Sequence, residues 1–264
     1  MSAPPRAPGA LPRRDRVAIL AALGATSALA WLWMLRVDAD LCRLAMGGGA
    51  AVQPWSAADA ALVFAMWAAM MVGMMLPTAA PATLLYAAVA RKAARQGTPV
   101  APTALFVAGY AAAWTLFSLL ATAAQWGLER AALLSTAWAA TSPALGGAIL
   151  LAAGAYQLTP WKQACLDHCR APVPFFAAQW RGGASGAFRM GLVHGAFCLG
   201  CCWALMGLLF VGGVMSFLWI AAIAFFVLVE KALPWGRAGG RLAALPLLCL
   251  GLLRLGSALV GGIA

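Results

Sequence analysis

Residues 103–126 read Thr103-Ala-Leu-Phe-Val-Ala-Gly-Tyr110-Ala-Ala-Ala-Trp114-Thr-Leu-Phe-Ser118-Leu-Leu-Ala-Thr-Ala-Ala-Gln-Trp126, without a single Asp, Glu, Lys or Arg. As a helix this run rises roughly 36 Å, enough to cross a hydrocarbon core of about 30 Å. A helix satisfies its own backbone hydrogen bonds, which lipid cannot do for it. Working outward from this stretch, comparable apolar runs place further spans at about 17–35, 60–88, 133–158, 187–213, 217–234 and 242–262. The sequence therefore predicts an all-α, polytopic transmembrane helical bundle of about seven spans. Residues 17–264 form its single domain, and the Pro- and Arg-rich residues 1–16 form a disordered tail.

Composition supports this reading. The chain is 64% hydrophobic and 9% charged, with a mean hydropathy of +0.87. Soluble domains carry about a quarter charged residues, so a water-facing surface cannot be built here. No segment alternates with period two, which excludes a transmembrane β-barrel. The net charge of +11 does not indicate a nucleic-acid partner, because the basic residues sit at the ends of apolar runs and form no phosphate-binding stripe. Ala28-Leu29-Ala30 resembles a signal-peptide cleavage site, but the apolar run continues through Trp31 to Leu35, so an uncleaved helix is expected.

The same charges orient the bundle. With the amino terminus in the cytoplasm, fourteen Lys or Arg residues fall on the cytoplasmic side, among them Arg13, Arg14, Arg16, Arg91, Lys92, Arg95, Lys162, Arg170 and Lys231. Only Arg36, Arg43 and Arg130 fall opposite, beside Asp38, Asp40, Asp59 and Glu129. This is the positive-inside pattern of a multi-pass membrane protein with its amino terminus in the cytoplasm and its carboxyl terminus outside, and with the bilayer as its partner. Pro77 and Pro81 imply a kink or an early end within the second span, and Pro143 divides the fourth. The segment 159–186 is expected on the cytoplasmic side.

The chemistry concentrates in the fifth span, Met190-Gly-Leu-Val-His194-Gly-Ala-Phe-Cys198-Leu-Gly-Cys201-Cys202-Trp-Ala-Leu-Met206. At about 100° per residue, His194, Cys198 and Cys201 share one narrow helix face, with Cys202 at its border. Cysteine is also a small apolar residue at home in buried helices. Three cysteines and a histidine on one face are instead a candidate ligand set, and thiolate and imidazole together suit Cu(I) or, alternatively, Zn(II). Gly191 and Gly195 let a neighbouring helix approach closely. The chain has only two histidines, and the second lies in Cys165-Leu-Asp-His168-Cys169. If that stretch is helical, Cys165, His168 and Cys169 meet on one face as a cytoplasmic receiving or sensing site. A third feature is the row Met66, Met70 and Met74, with Met71 and Met75 beside it. Thioethers are soft donors and favour Cu(I), although methionine also fills gaps in packed cores. Counting residues from the span ends puts Met70 and Met74 at the depth of Cys198 and Cys201, so they meet if the second and fifth spans are neighbours. Glu230, at the end of the sixth span, needs a partner such as Lys231, Arg237 or a cation, unless it is simply solvated.

These residues resemble an uncharacterised family of bacterial membrane proteins described as predicted metal-binding integral membrane proteins. The resemblance rests on Met70-Met71-Val-Gly-Met74-Met75-Leu-Pro77, Cys165 to Arg170 with Pro172, Gly191 to Met206, and Trp219 to Pro234. It covers about residues 60–240 and implies a metal site, with no reaction or substrate attached. The resulting expectation is a multi-pass protein of the bacterial inner (plasma) membrane that binds Cu(I), or Zn(II), for transport, delivery or homeostasis, with a metallochaperone or membrane-protein partner. Two rivals stand beside it: a thiol–disulfide protein using Cys198 and Cys201, and an assembly subunit for a partner metalloenzyme. No catalytic constellation for hydrolysis or phosphoryl transfer is present, and the oligomeric state is left open.

Overall fold

The computed structural model describes residues 11–46, 55–135, 138–233 and 236–261, and among them it is helical throughout with no named strand. The helices are α1 (Arg13–Met46), α2 (Ala57–Met75), α3 (Ala80–Arg95), α4 (Thr103–Arg130), α5 (Pro143–Gln157), α6 (Pro160–Arg170), α7 (Pro172–Gln179), α8 (Gly183–Gly207), α9 (Leu209–Gly212), α10 (Phe217–Ala232) and α11 (Gly236–Gly261).

Local sequence sets most of these boundaries. Ser56 and Asp59 form a reciprocal capping box at the start of α2. Ser142 and Thr159 cap α5 and α6 with their side-chain oxygens, each followed by a proline in the first helical position, where no N–H is needed. Pro77 ends α2, and a single 3-10 turn, Pro77–Ala79, leads into α3. The kink expected in the second span is therefore a break between two helices. Residues 13–16 belong to α1 and not to a disordered tail; residues 1–10 lie outside those described.

Five helical segments are long and apolar enough to cross a membrane: Arg13–Val37, Ala57–Met75, Thr103–Arg130, Gly183–Gly212 and Ala238–Val260. The fourth and sixth expected spans form the shorter helices α5, with 15 residues, and α10, with 16. α5 loses its first part because Pro143 opens the helix and the described residues before it, 133–135 and 138–142, are not helical but carry an isolated bridge between Leu134 and Ala140. Outward-facing side chains are strongly apolar: Leu218 is 84% exposed, and Leu242 and Leu253 are each 70% exposed. Such a surface suits lipid and not water.

Parallel α4 and α8 form the centre. Phe106 lies against Gly191 and Tyr110 against Gly195. A Cβ on Gly191 would overlap the Phe106 carbonyl oxygen, and one on Gly195 would stand 2.7 Å from the Ala113 Cβ. The close approach expected beside His194 is thus made by α4. α2 runs antiparallel to α4, held by Trp67 Nε1 donating to Gln125 Oε1 at 2.7 Å and Trp55 Nε1 donating to Glu129 Oε2 at 2.7 Å. α11 packs antiparallel along α5, with Gly147 and Gly154 of α5 against Leu255 and Leu248. α10 runs antiparallel to α8, from Trp219 beside Leu208 to Lys231 beside Cys198.

Candidate metal centre

Three helices stop where α4 and α8 pass each other: α2 at Met75, α5 at Gln157 and α10 at Ala232. All three present their carboxyl ends. A helix carboxyl terminus carries unsatisfied carbonyls and roughly half a negative charge, so it attracts cations. Two buried lysines occupy this junction. Lys162 of α6 donates to Gln157 Oε1 and pairs with Glu230 Oε1 at 2.5 Å. Lys231 donates to Cys198 Sγ at 2.8 Å and to Thr78 Oγ1 at 3.4 Å.

Cys198 is the hub. Tyr110 Oη lies 2.9 Å from its sulfur and donates to the Met75 carbonyl at 3.0 Å. Cys201 and Cys202 both turn their thiols to the Cys198 carbonyl oxygen, each at 3.0 Å. All three cysteines are at most 2% exposed. His194 is buried beside them in an aromatic cage. Its ring lies 5.9 Å from Phe106, 5.9 Å from Tyr110 and 5.6 Å from Phe175, and its Nδ1 has no hydrogen-bond partner among the described residues. Tyr110 therefore touches both His194, with its ring, and Cys198, with its hydroxyl.

The segment 159–186 is not a loop. α6 packs on α8 and brings Cys169 Sγ to 4.0 Å from Cys201 Sγ. Cys165 lies over Gly200, where an added Cβ would come within 2.7 Å of its sulfur, so the glycine in Cys198-Leu-Gly-Cys201 admits α6. The two cysteine clusters, separate in sequence, share one locus. Burial, and then the Cys201 sulfur, push the Cys165 thiol above its ordinary pKa. Hydrogen bonding with Cys198 and Cys201, together with burial, pushes Cys169 well above its own. Both are thiols until a metal displaces the proton.

His168 does not join them. Its ring stacks on Phe197 at 4.1 Å, its Nδ1 lies 2.8 Å from the Ala164 carbonyl, and it is exposed. Met66, Met70 and Met74 are at most 2% exposed and belong to the same core as Cys198, Cys201 and Cys202. The second and fifth spans thus contribute side chains to one core, but α2 packs mainly on α1 and α4 and does not lie along α8 as the direct neighbour that the depth count needed. Met70 and Met74 fall in the last two turns of α2 because Pro77 ends it there.

Sequence reasoning missed Tyr110, Thr78, Lys231 and Lys162. Tyr110 carried a signal, a phenol inside an uncharged span. The two lysines were counted as cytoplasmic flanks, and nothing local distinguishes them from solvated charges. For Glu230 the partner is Lys162, not Lys231, and its side chain is buried, not a solvated helix end.

Among the described residues, no three His, Cys, Asp or Glu side chains form a preformed metal cage. Two sulfurs are enough for a soft ion. Metal–thiolate bonds of about 2.3 Å put two sulfurs ~3.8 Å apart in tetrahedral and ~4.6 Å apart in linear geometry, and the Cys169–Cys201 separation lies between these. A structural zinc site takes four protein ligands, which this arrangement does not present.

A family model described as copper chaperone, PpoB2, matches residues 64–254, and this supports a copper-related function. No curated protein and no solved structure matches the chain. The matched region takes in the methionine row, α6, the whole of α8 and both buried lysines, well over half of the sequence, and the chain belongs to the PpoB2 copper-chaperone family.

Proposed function

We propose that this protein is a multi-pass inner-membrane copper chaperone that holds Cu(I) between Cys169 of α6 and Cys201 of α8 and passes it to a partner protein. The observation that carries the reading is the 4.0 Å separation of the two sulfurs. Cys198, Cys202 and His194 border the ion's position, Cys165 stands at its approach, and the row Met66, Met70 and Met74 is a softer relay. Exchange between soft donors of differing strength keeps the ion transferable. The topology is seven crossings with a cytoplasmic amino terminus, α5 and α10 being the short fourth and sixth. The alternating directions of α2, α4, α5, α8, α10 and α11 support it, as does the charge asymmetry of the sequence.

The test is anaerobic copper analysis of purified wild type against the double variant Cys169→Ser/Cys201→Ser. One Cu(I) per wild-type chain and none in the variant is expected; equal copper in both sinks the proposal. Zinc in place of copper in the wild type would select the other metal. The redox rival is disfavoured because Cys198 and Cys201 are at most 2% exposed, out of reach of a partner's thiol. Reductant-dependent alkylation of Cys198 and Cys201 would restore it. An assembly role is distinguished by co-purification of a partner metalloenzyme.

A further inference from the structure

The buried charges next to the cysteines do not cancel. Lys162 and Glu230 neutralise one another as a pair, with side-chain exposures of 0% and 1%. Lys231 has no such direct partner: its ammonium group is buried, its hydrogen-bond partners among the described residues are a sulfur and a hydroxyl, and the Glu230 carboxylate, bonded to Lys162, acts on it only at longer range. An ammonium group only donates, so Cys198 Sγ must accept from it, and the positive charge acts on Cys201 and Cys202 as well. A buried charge is costly, and although the helix carboxyl ends favour a cation here, one hydrogen-bonded to a sulfur and not to a carboxylate needs a further reason.

We infer that Lys231 is the fixed counter-ion of a two-thiolate complex of a monovalent soft metal, and that it thereby selects Cu(I) over Zn(II) at the Cys169–Cys201 site. This rests on the copper-site reading above. When the ion enters, two metal–sulfur bonds form and the two thiol protons leave to solvent; no oxidation state changes. Two thiolates and one Cu(I) carry one net negative charge, and the Lys231 ammonium brings the pocket to neutrality. A divalent ion on the same two thiolates is already neutral, so it leaves Lys231 uncompensated. To reach neutrality Zn(II) needs a third thiolate, and no three-donor cage is formed among the described residues. Lys231 is thus a positioning and specificity residue that does not itself bind metal. Its hydrogen bonds to Cys198 and Thr78, with the Tyr110 hydroxyl also reaching both of these, hold the charge beside the sulfurs.

The experiment is a competition titration of purified wild type, Lys231→Gln and Lys231→Arg with Cu(I), Ag(I) and Zn(II). Gln keeps hydrogen-bond donors and loses the charge, whereas Arg keeps the charge. Lys231→Gln is expected to weaken Cu(I) and Ag(I) binding on the order of 100-fold, as removal of one partner from a buried charge pair does, and to narrow the preference over Zn(II). Lys231→Arg is expected to retain the preference. Cu(I) affinity that is unchanged or tighter in Lys231→Gln overturns the inference, because the lysine would then be idle or a competitor for the sulfur. If Lys231→Gln does not fold, X-ray absorption of copper-loaded wild type decides: two sulfur neighbours are expected, and three would exceed what one lysine compensates. Wild type that binds no Cu(I) at all overturns the copper reading itself, a result distinct from either outcome at Lys231.

Discussion

Lys162 on α6 and Glu230 on α10, 68 residues apart in sequence, form a buried ion pair at the junction where α5 and α10 end. Breaking a buried pair leaves a charge without compensation, at a cost of about 3–5 kcal/mol, whereas replacing both partners with apolar side chains is often neutral. Glu230→Gln is therefore expected to lower the unfolding midpoint in detergent sharply, and Lys162→Met/Glu230→Leu to recover most of the loss. Additive losses in the double variant would mean that the two side chains do not act as a pair. Among the described residues Glu230 Oε2 and Gln157 Nε2 have no hydrogen-bond partner, which makes the pair a costly device to keep.

The α4–α8 contact offers a second test. An added Cβ at Gly109 or Gly191 would overlap backbone atoms of the facing helix, Phe188 O and Phe106 O respectively. Backbone cannot swing aside as a flexible side chain can, so Gly191→Ala should separate the helices, although alanine is the better helix former. Reduced thermal stability is expected together with weaker copper binding, since Tyr110 and Cys198 face each other across the same seam. Gly127→Ala, which meets nothing within 4 Å, serves as the control and should be neutral or stabilising.

What could be read in advance follows the range of each interaction. The apolar run of α4, the face shared by His194, Cys198 and Cys201, and the break at Pro77 are local properties, and all of them appear in the fold. The meeting of Cys169 with Cys201 is not local, because it depends on how α6 folds back over Gly200. Lys162 and Lys231 misled for a related reason. A lysine at the end of an apolar run is usually a solvated flank, and only the convergence of three helix ends turns these two inward. The expected cytoplasmic receiving site divides accordingly: Cys169 joins the centre, while His168 stays outside on Phe197.

Exchanging Met70 and Met74 for leucine separates packing from chemistry. Both side chains are fully enclosed, and a Leu-for-Met exchange conserves volume at a cost usually below about 1.5 kcal/mol. Met70→Leu/Met74→Leu should therefore fold and keep its copper stoichiometry. As a relay variant it should also release Cu(I) to an external chelator more slowly, because the softer intermediate donors are gone. Release at the wild-type rate would reduce the methionine row to a packing feature.

Thiol footprinting provides the most direct reading of the site, because the chain carries its own reference. Cys249 is exposed on α11, whereas Cys165 and Cys169 are half-buried and Cys198, Cys201 and Cys202 are enclosed. With the protein opened by mild denaturant, all should react with a maleimide in the metal-free state. Bound Cu(I) opposes that opening through mass action, by about 2.7 kcal/mol at a hundredfold excess over the dissociation constant. Direct ligation adds to this protection, so Cys169 and Cys201 should be the slowest to react, Cys165 should react sooner, and Cys249 should keep its metal-free rate. Mass mapping after timed quenching reads each rate separately. Protection of Cys165 with Cys169 left reactive would move the α6 ligand one turn back along the helix. Equal rates at Cys201 with and without copper would remove the ion from α8 altogether.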